Sequence, residues 1–144
     1  AALGKRDGVA VFGTDFATPD GTGVRDYIHV TDLADAHLHA LGLLSSDPAT
    51  SHVMNCGYGR GFSVREVIRA VERVTGRTVP VTTGPRRPGD PPVLIGSAAR
   101  AARELGWTPR HPDLDTIVAT AWAWMQARDV AASDRSRAQA ASAP

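Results

Sequence analysis

The stretch from Phe62 to Gly76 constrains this chain most. Ser63 and Glu66 stand three residues apart, the spacing of a capping box. In that arrangement each side chain takes a backbone N–H that the first helical turn leaves without a partner. Phe62, just before the cap, can staple onto Val67. Val64, Val67, Ile68, Val71 and Val74 then recur at helical spacing, and Gly76 supplies a left-handed stop. A helix this amphipathic needs a layer to cover its stripe. Short strand candidates surround it. Val9–Phe12 is an apolar run ended by Gly13, and His52–Asn55 and Val79–Thr82 read the same way. Val24–Val30 alternates, with Val24, Asp26, Ile28 and Val30 on one side and Arg25, Tyr27 and His29 on the other. Three more helices fill the intervals. The first is capped by Thr31 or Asp32 and carries Leu33, Ala36, Ala40, Leu41 and Leu44 as its stripe. The second starts at Ser97, is rich in alanine, and ends at Leu105 and Gly106. The third runs from Leu114 to Arg128 with Leu114, Ile117, Val118, Ala121, Trp122 and Met125 on one face. Strands alternating with helices predict an α/β chain. So few short strands make a thin sheet for a free-standing domain.

Composition narrows the function. The chain has 144 residues, a one-domain length. From Asp129 onward it is Ala, Ser, Arg and Gln with no apolar stripe, so 129–144 is expected to be a disordered tail and 1–128 the ordered region. Net charge is +1, so no long-range field draws the chain to nucleic acid or to a membrane surface. Any anion site must therefore be local, built from a few placed arginines. No apolar run approaches the roughly 20 residues needed to span a bilayer. The single Cys56 cannot form an internal disulfide, which fits a reducing, cytoplasmic setting. The chain opens Ala-Ala-Leu-Gly without an initiator Met and reads as a piece of something longer.

A few side chains offer chemistry. Arg25 and Arg87 present planar guanidinium forks, which match phosphate oxygens two bonds at a time. The plainer alternative is ion pairing, Arg25 with Asp26 or Asp20 and Arg87 with Asp90. Asp90 suits the two hydroxyls of a ribose, or it caps the turn Pro88-Gly89-Asp90. Phe12 offers a flat face for a base, or a core side chain. The histidines lack a second ligand at metal spacing, so no metal site is expected. Gly57-Tyr58-Gly59-Arg60-Gly61 lacks the dinucleotide spacing and reads as a turn.

The run Asp20-Gly21-Thr22-Gly23-Val24-Arg25-Asp26-Tyr27-Ile28-His29-Val30, followed by Asp32-Leu33-Ala34, resembles the signature of nucleotide-sugar epimerases. These belong to the extended short-chain dehydrogenase family, and the UDP-glucose 4-epimerase group is the nearest in pattern. Ala10-Val11-Phe12-Gly13 matches that family's strand at the uracil pocket, and Pro85-Arg86-Arg87-Pro88-Gly89-Asp90 its phosphate and ribose loop. The resemblance covers Val9 to Met125. It implies a C-terminal substrate-binding part of an extended short-chain dehydrogenase fold, with the Rossmann N-terminal half missing. The implied substrate is a UDP-sugar, held by Ala10, Val11, Phe12, Arg25, Arg87 and Asp90. The implied reaction interconverts UDP-glucose and UDP-galactose, in galactose metabolism, by NAD-dependent oxidation and reduction at sugar C4. The implied full-length parent is a homodimer. A sister epimerase, dehydratase or decarboxylase of the same fold is the alternative within enzymes, and a non-catalytic nucleotide-binding remnant the alternative outside them. The family's catalytic Tyr-x-x-x-Lys pair is absent, since Tyr27 is followed four residues on by Thr31 and Tyr58 by Phe62. No catalytic or NAD-binding residue is expected in this chain, and NAD would sit on the missing half. The pattern departs at Leu94, where the resemblance calls for a ligand-touching tyrosine.

Overall fold

In the computed structural model, residues 1–141 are described. β1 (Val9–Phe12) pairs in parallel with β4 (Val81–Gly84), in the register Val9↔Val81 to Phe12↔Gly84. A second sheet has the order β3-β2-β5. In it β2 (Val24–Arg25) runs antiparallel to β3 (Phe62–Ser63) and parallel to β5 (Val93–Leu94). The helices are α1 (Val30–Ser46), α2 (Val64–Thr75), α3 (Ala99–Leu105) and α4 (Leu114–Ala141). Helix α1 packs on α3 and α2 on α4. The α/β class thus holds, with the sheet divided into two small pieces.

Helix α2 forms as its sequence dictates. Ser63 Oγ accepts from the Glu66 N–H at 3.1 Å, and the Glu66 carboxylate accepts from the Ser63 N–H at 2.7 Å. Gly76 closes the helix at φ 65°, in the left-handed region where a Cβ is strained. Ser63 Oγ also donates to Asp20, so one hydroxyl joins the helix start to the Asp20–Gly23 loop. Ser63→Ala is expected to lower stability by about 1–2 kcal/mol, the upper part of the range for a lost cap. A urea midpoint equal to the parent's would show that the box contributes nothing.

Several expectations are corrected. The strand foreseen over Val24–Val30 is two residues long, and Asp26–His29 is irregular. Side chains take the place of ladder partners there. The Asp26 carboxylate accepts from the Gly96 N–H at 2.8 Å, and the Tyr58 hydroxyl accepts from the His29 N–H at 2.9 Å. The cap of α1 is His29 rather than Thr31 or Asp32, its Nδ1 accepting from the Thr31 N–H at 3.1 Å. That leaves the ring proton on Nε2, which donates to Thr120 Oγ1 at 2.8 Å. The β4 strand lies two residues later than expected, and β3 and β5 are additional. The segment His52–Asn55 pairs with no strand among the described residues. Its burial alternates all the same, with Met54 and Cys56 against the core and Val53 79% exposed. It has the sequence of a strand without a neighbour to bond. Finally, α4 continues helical through 129–141, where a disordered tail is expected. Alanine, arginine and glutamine are strong helix formers, and propensity sustains the helix without an apolar stripe. Residues 142–144 of that tail lie outside the described residues.

The core centres on Trp107, fully buried, with Ala36 and Ala101. Trp107 Nε1 donates to the Asp32 carbonyl at 3.1 Å. The Asp32 carboxylate, 3% exposed, accepts from the Tyr58 hydroxyl at 2.7 Å and from the N–H groups of Arg110 and His111 at 3.1 and 2.8 Å. Burial raises the carboxyl pKa, but those bonds outweigh it and hold Asp32 below the usual carboxylate range. Helix α1 shows a second apolar face: Leu38 and Leu41 are 67% and 60% exposed, and Leu44 is exposed beside them. An apolar groove of about 930 Å³ also opens between β1, α2, α4 and the N-terminal residues.

Candidate functional site

The site is built where two strands end beside one loop. The loop 85–92 leaves β4 and enters β5, so it passes from the end of β1 to the edge of β2. Its turn is closed by the Asp90 N–H donating to the Arg87 carbonyl at 3.2 Å. Across β4, the Arg87 guanidinium lies over the Phe12 ring, 4.0 Å from its centroid. Across β5, Arg25 Nη2 lies 3.6 Å from Asp90 Oδ1. The structure thus brings Phe12 to Arg87 and Arg25 to Asp90, all four gathered by a single turn. The ion pairs entertained for Arg25 with Asp26 or Asp20, and for Arg87 with Asp90, are replaced by Arg25–Asp90.

Strand β1 contributes its backbone. The Val9 N–H donates to the Pro80 carbonyl and the Gly13 N–H to the Gly84 carbonyl, both at 2.9 Å. In a parallel ladder alternate residues bond the same neighbour, so Val9, Val11 and Gly13 face β4 while Ala10 and Phe12 turn their N–H and C=O to the other edge. Among the described residues no strand covers that edge. Val11 points inward and is buried, whereas the Phe12 side chain is 39% exposed. Leu94, on β5, is 57% exposed and brings an apolar surface where the resemblance calls for a hydroxyl.

Two holding residues were not foreseen. Asp20 accepts from the Thr22 N–H at 3.0 Å and the Thr22 hydroxyl at 2.6 Å, and it takes the Ser63 hydroxyl as well. Burial raises its pKa, but these bonds together lower it on balance. Gly21, beside it, sits at φ 78°, and a Cβ there would lie 2.1 Å from the Thr14 carbonyl. Arg86 donates to Asp15 Oδ1 at 2.7 Å and stacks over Phe16, 4.4 Å from the ring centroid. It ties the loop after β4 to the loop after β1. The neighbouring arginines therefore divide: Arg86 is spent on structure, and Arg87 faces the candidate site.

The glycine loop does not fit a dinucleotide. A Cβ on Gly57 would meet Asp26, and one on Gly61 would meet Val24 and Ile95, so these glycines serve close packing. Tyr58, between them, is held in the Asp32 knot. That loop is therefore packed for structure rather than opened for a pyrophosphate.

Comparison with known proteins places the chain in a family. A family model described as the NAD dependent epimerase/dehydratase family matches residues 1–57. A UDP-glucose 4-epimerase from Azospirillum brasilense is 57% identical over 124 residues, 86% of this chain and 35% of that protein. One from Corynebacterium glutamicum is 49% identical over 126 residues, covering 88% and 38%. The chain is a relative of the UDP-glucose 4-epimerases. Two solved structures agree in fold. The Stenotrophomonas maltophila UDP-glucose-4-epimerase, solved with NAD and formylated UDP-arabinopyranose, superposes with a TM-score of 0.81 at 48% identity over 90% of this chain and 38% of its own. The Bifidobacterium longum UDP-glucose 4-epimerase, solved with NAD+ and UDP, gives 0.79 at 42% identity over 87% and 36%. This chain therefore spans less than half the length of the epimerases it matches, and its fold is part of an extended short-chain dehydrogenase fold. No helix among the described residues is long and apolar enough to cross a membrane.

Proposed function

We propose that this chain supplies the UDP-binding part of a UDP-glucose 4-epimerase, which interconverts UDP-glucose and UDP-galactose in galactose metabolism. The observation that carries this reading is the convergence of Phe12, Arg87, Arg25 and Asp90 around the turn 87–90. In it, the free edge of β1 at Ala10 and Phe12 reads the polar edge of uracil, with Val11 anchoring the strand in the core. The Phe12 ring stacks on the base. Arg25 and Arg87 neutralise the diphosphate, and Asp90 accepts from the ribose hydroxyls. The hydride chemistry at sugar C4 comes from NAD, bound by the rest of such an enzyme. The residues here bind and orient the remote end of the substrate, and that binding energy positions the sugar. A cytoplasmic homodimer completes the reading, and the lone Cys56 suits such a compartment.

A wider sugar range is the second reading, favoured by Leu94. With a leucine facing the ligand, one hydroxyl contact is absent and the sugar end is less tightly specified.

Arg87→Ala tests the assignment. It is expected to weaken UDP binding by roughly 1.5–3 kcal/mol, the value of a charge-assisted bond to a desolvated phosphate. Arg87→Lys should recover only part, because an ammonium cannot reproduce the fork. Parent affinity in both variants, measured by calorimetry, would remove Arg87 from the phosphate site.

A further inference from the structure

In this structure the groups assigned to the nucleotide are engaged with one another. The Arg87 guanidinium lies on the Phe12 ring. Gly84 lies close to the same ring, where an added Cβ would come within 3.2 Å of it. Arg87 has no carboxylate partner among the described residues, in contrast to Arg86 with Asp15 and Arg25 with Asp90. Its one specific contact is thus the aromatic face that a base would need. At the other end, Arg25 is neutralised by the carboxylate assigned to the ribose. Arg87 and Asp90 belong to a single hydrogen-bonded turn whose Gly89 sits at φ 83°, so displacing one perturbs the other.

We propose that Arg87 is a resident plug on the base seat, and that a uridine diphosphate enters by exchange. This inference rests on the UDP-binding reading above. The uracil takes the Phe12 face, the displaced Arg87 swings to the diphosphate, Arg25 leaves Asp90 for the same anion, and Asp90 is released to the ribose hydroxyls. Every group that loses a partner gains another. A nucleoside without phosphates can complete only part of the exchange. It must lift Arg87 off the ring, yet it offers that guanidinium no anion. The site therefore rejects uridine actively, by competition from Arg87, and does not merely lack contacts with it.

The exchange predicts a change of sign that a plain binding pocket does not. Calorimetric titrations use the 144-residue chain and its variants, each shown to be folded by circular dichroism, against uridine, UDP and inorganic pyrophosphate. Arg87→Ala is expected to bind UDP at least roughly tenfold more weakly. The same variant should bind uridine more tightly than the parent, by about three- to tenfold, the strength of the cation–π contact removed. Phe12→Leu keeps an apolar side chain but removes the seat of the guanidinium. It should raise pyrophosphate affinity while lowering UDP affinity. If the parent binds UDP and Arg87→Ala leaves uridine affinity unchanged or weaker, the plug is refuted and the UDP site stands. If Phe12→Leu leaves pyrophosphate affinity at the parent value, the plug is likewise refuted. A folded parent that binds no UDP would remove the UDP-binding reading and the plug together.

Discussion

Mixed with UDP-galactose and NAD, the 144-residue chain is expected to form no UDP-glucose. The reaction needs a hydride acceptor, a base for the sugar hydroxyl and a site that holds the sugar against the nicotinamide. On the reading proposed above, the chain supplies residues for the remote, nucleotide end. Its two phenols are unsuited to proton abstraction. Burial raises the pKa of Tyr27 above its ordinary value, and burial together with the bond to Asp32 pushes Tyr58 up to about 12. Both stay protonated near neutral pH. Turnover should appear when the chain is mixed with the separately expressed remainder of a full-length relative, such as the Azospirillum brasilense enzyme. The exposed row Leu38, Leu41 and Leu44 on α1, and the exposed Val53, supply apolar surface for that reassociation. At about 25 cal/mol per Å², covering several hundred Å² contributes on the order of 10 kcal/mol, comparable with the whole stability of a small domain. Product formed by the chain alone would overturn the reading.

Asp32→Ala is expected to lower the unfolding free energy by about 3–4 kcal/mol. It strips the acceptor from the Tyr58 hydroxyl and from the backbone N–H groups of Arg110 and His111, leaving them desolvated. The pH dependence has a definite sign. The folded pKa of Asp32 lies below its unfolded value, so its stabilisation is present above about pH 3.9 and is lost as pH falls through the folded pKa. The parent should therefore lose stability on acidification more steeply than Asp32→Asn. Urea midpoints for the two proteins that stay parallel across that range would contradict the role given to Asp32.

Helix α2 could be read from the sequence because its cap, stripe and stop all lie within fifteen consecutive residues. Strand β1 could be read from four apolar residues and a glycine. The candidate site could be named by residue type, since diphosphate and ribose recognition ask for arginine forks and a carboxylate. Its internal pairing could not. Arg25 meets Asp90, and Arg87 meets Phe12, only because β5 and β4 bring the 85–92 loop past both strands, and register over such separations leaves no local mark. The Asp32 knot escaped for the same reason, drawing on Tyr58, Arg110 and His111 from distant parts of the chain. An imidazole as the cap of α1 was hidden because histidine is a rare choice there. The segment His52–Asn55 was misread for a different reason: its pattern is that of a strand, but a strand is a relation between two segments, and the described chain supplies one.

The parallel pairing of β1 with β4 also fixes when the site can exist. Val9 cannot find Val81 until the chain has passed through α1 and α2, and the entropy of closing so long a loop falls due before any contact within it offers a return. Phe12 and Arg87 meet only after that closure. Occupation of the site then acts on the closed form alone, so a bound nucleotide should slow unfolding and raise the denaturant midpoint in proportion to the logarithm of its concentration. Ligand and fold are linked through the β1–β4 pair on one side of the loop and the β2–β5 pair on the other, so loosening either should weaken binding.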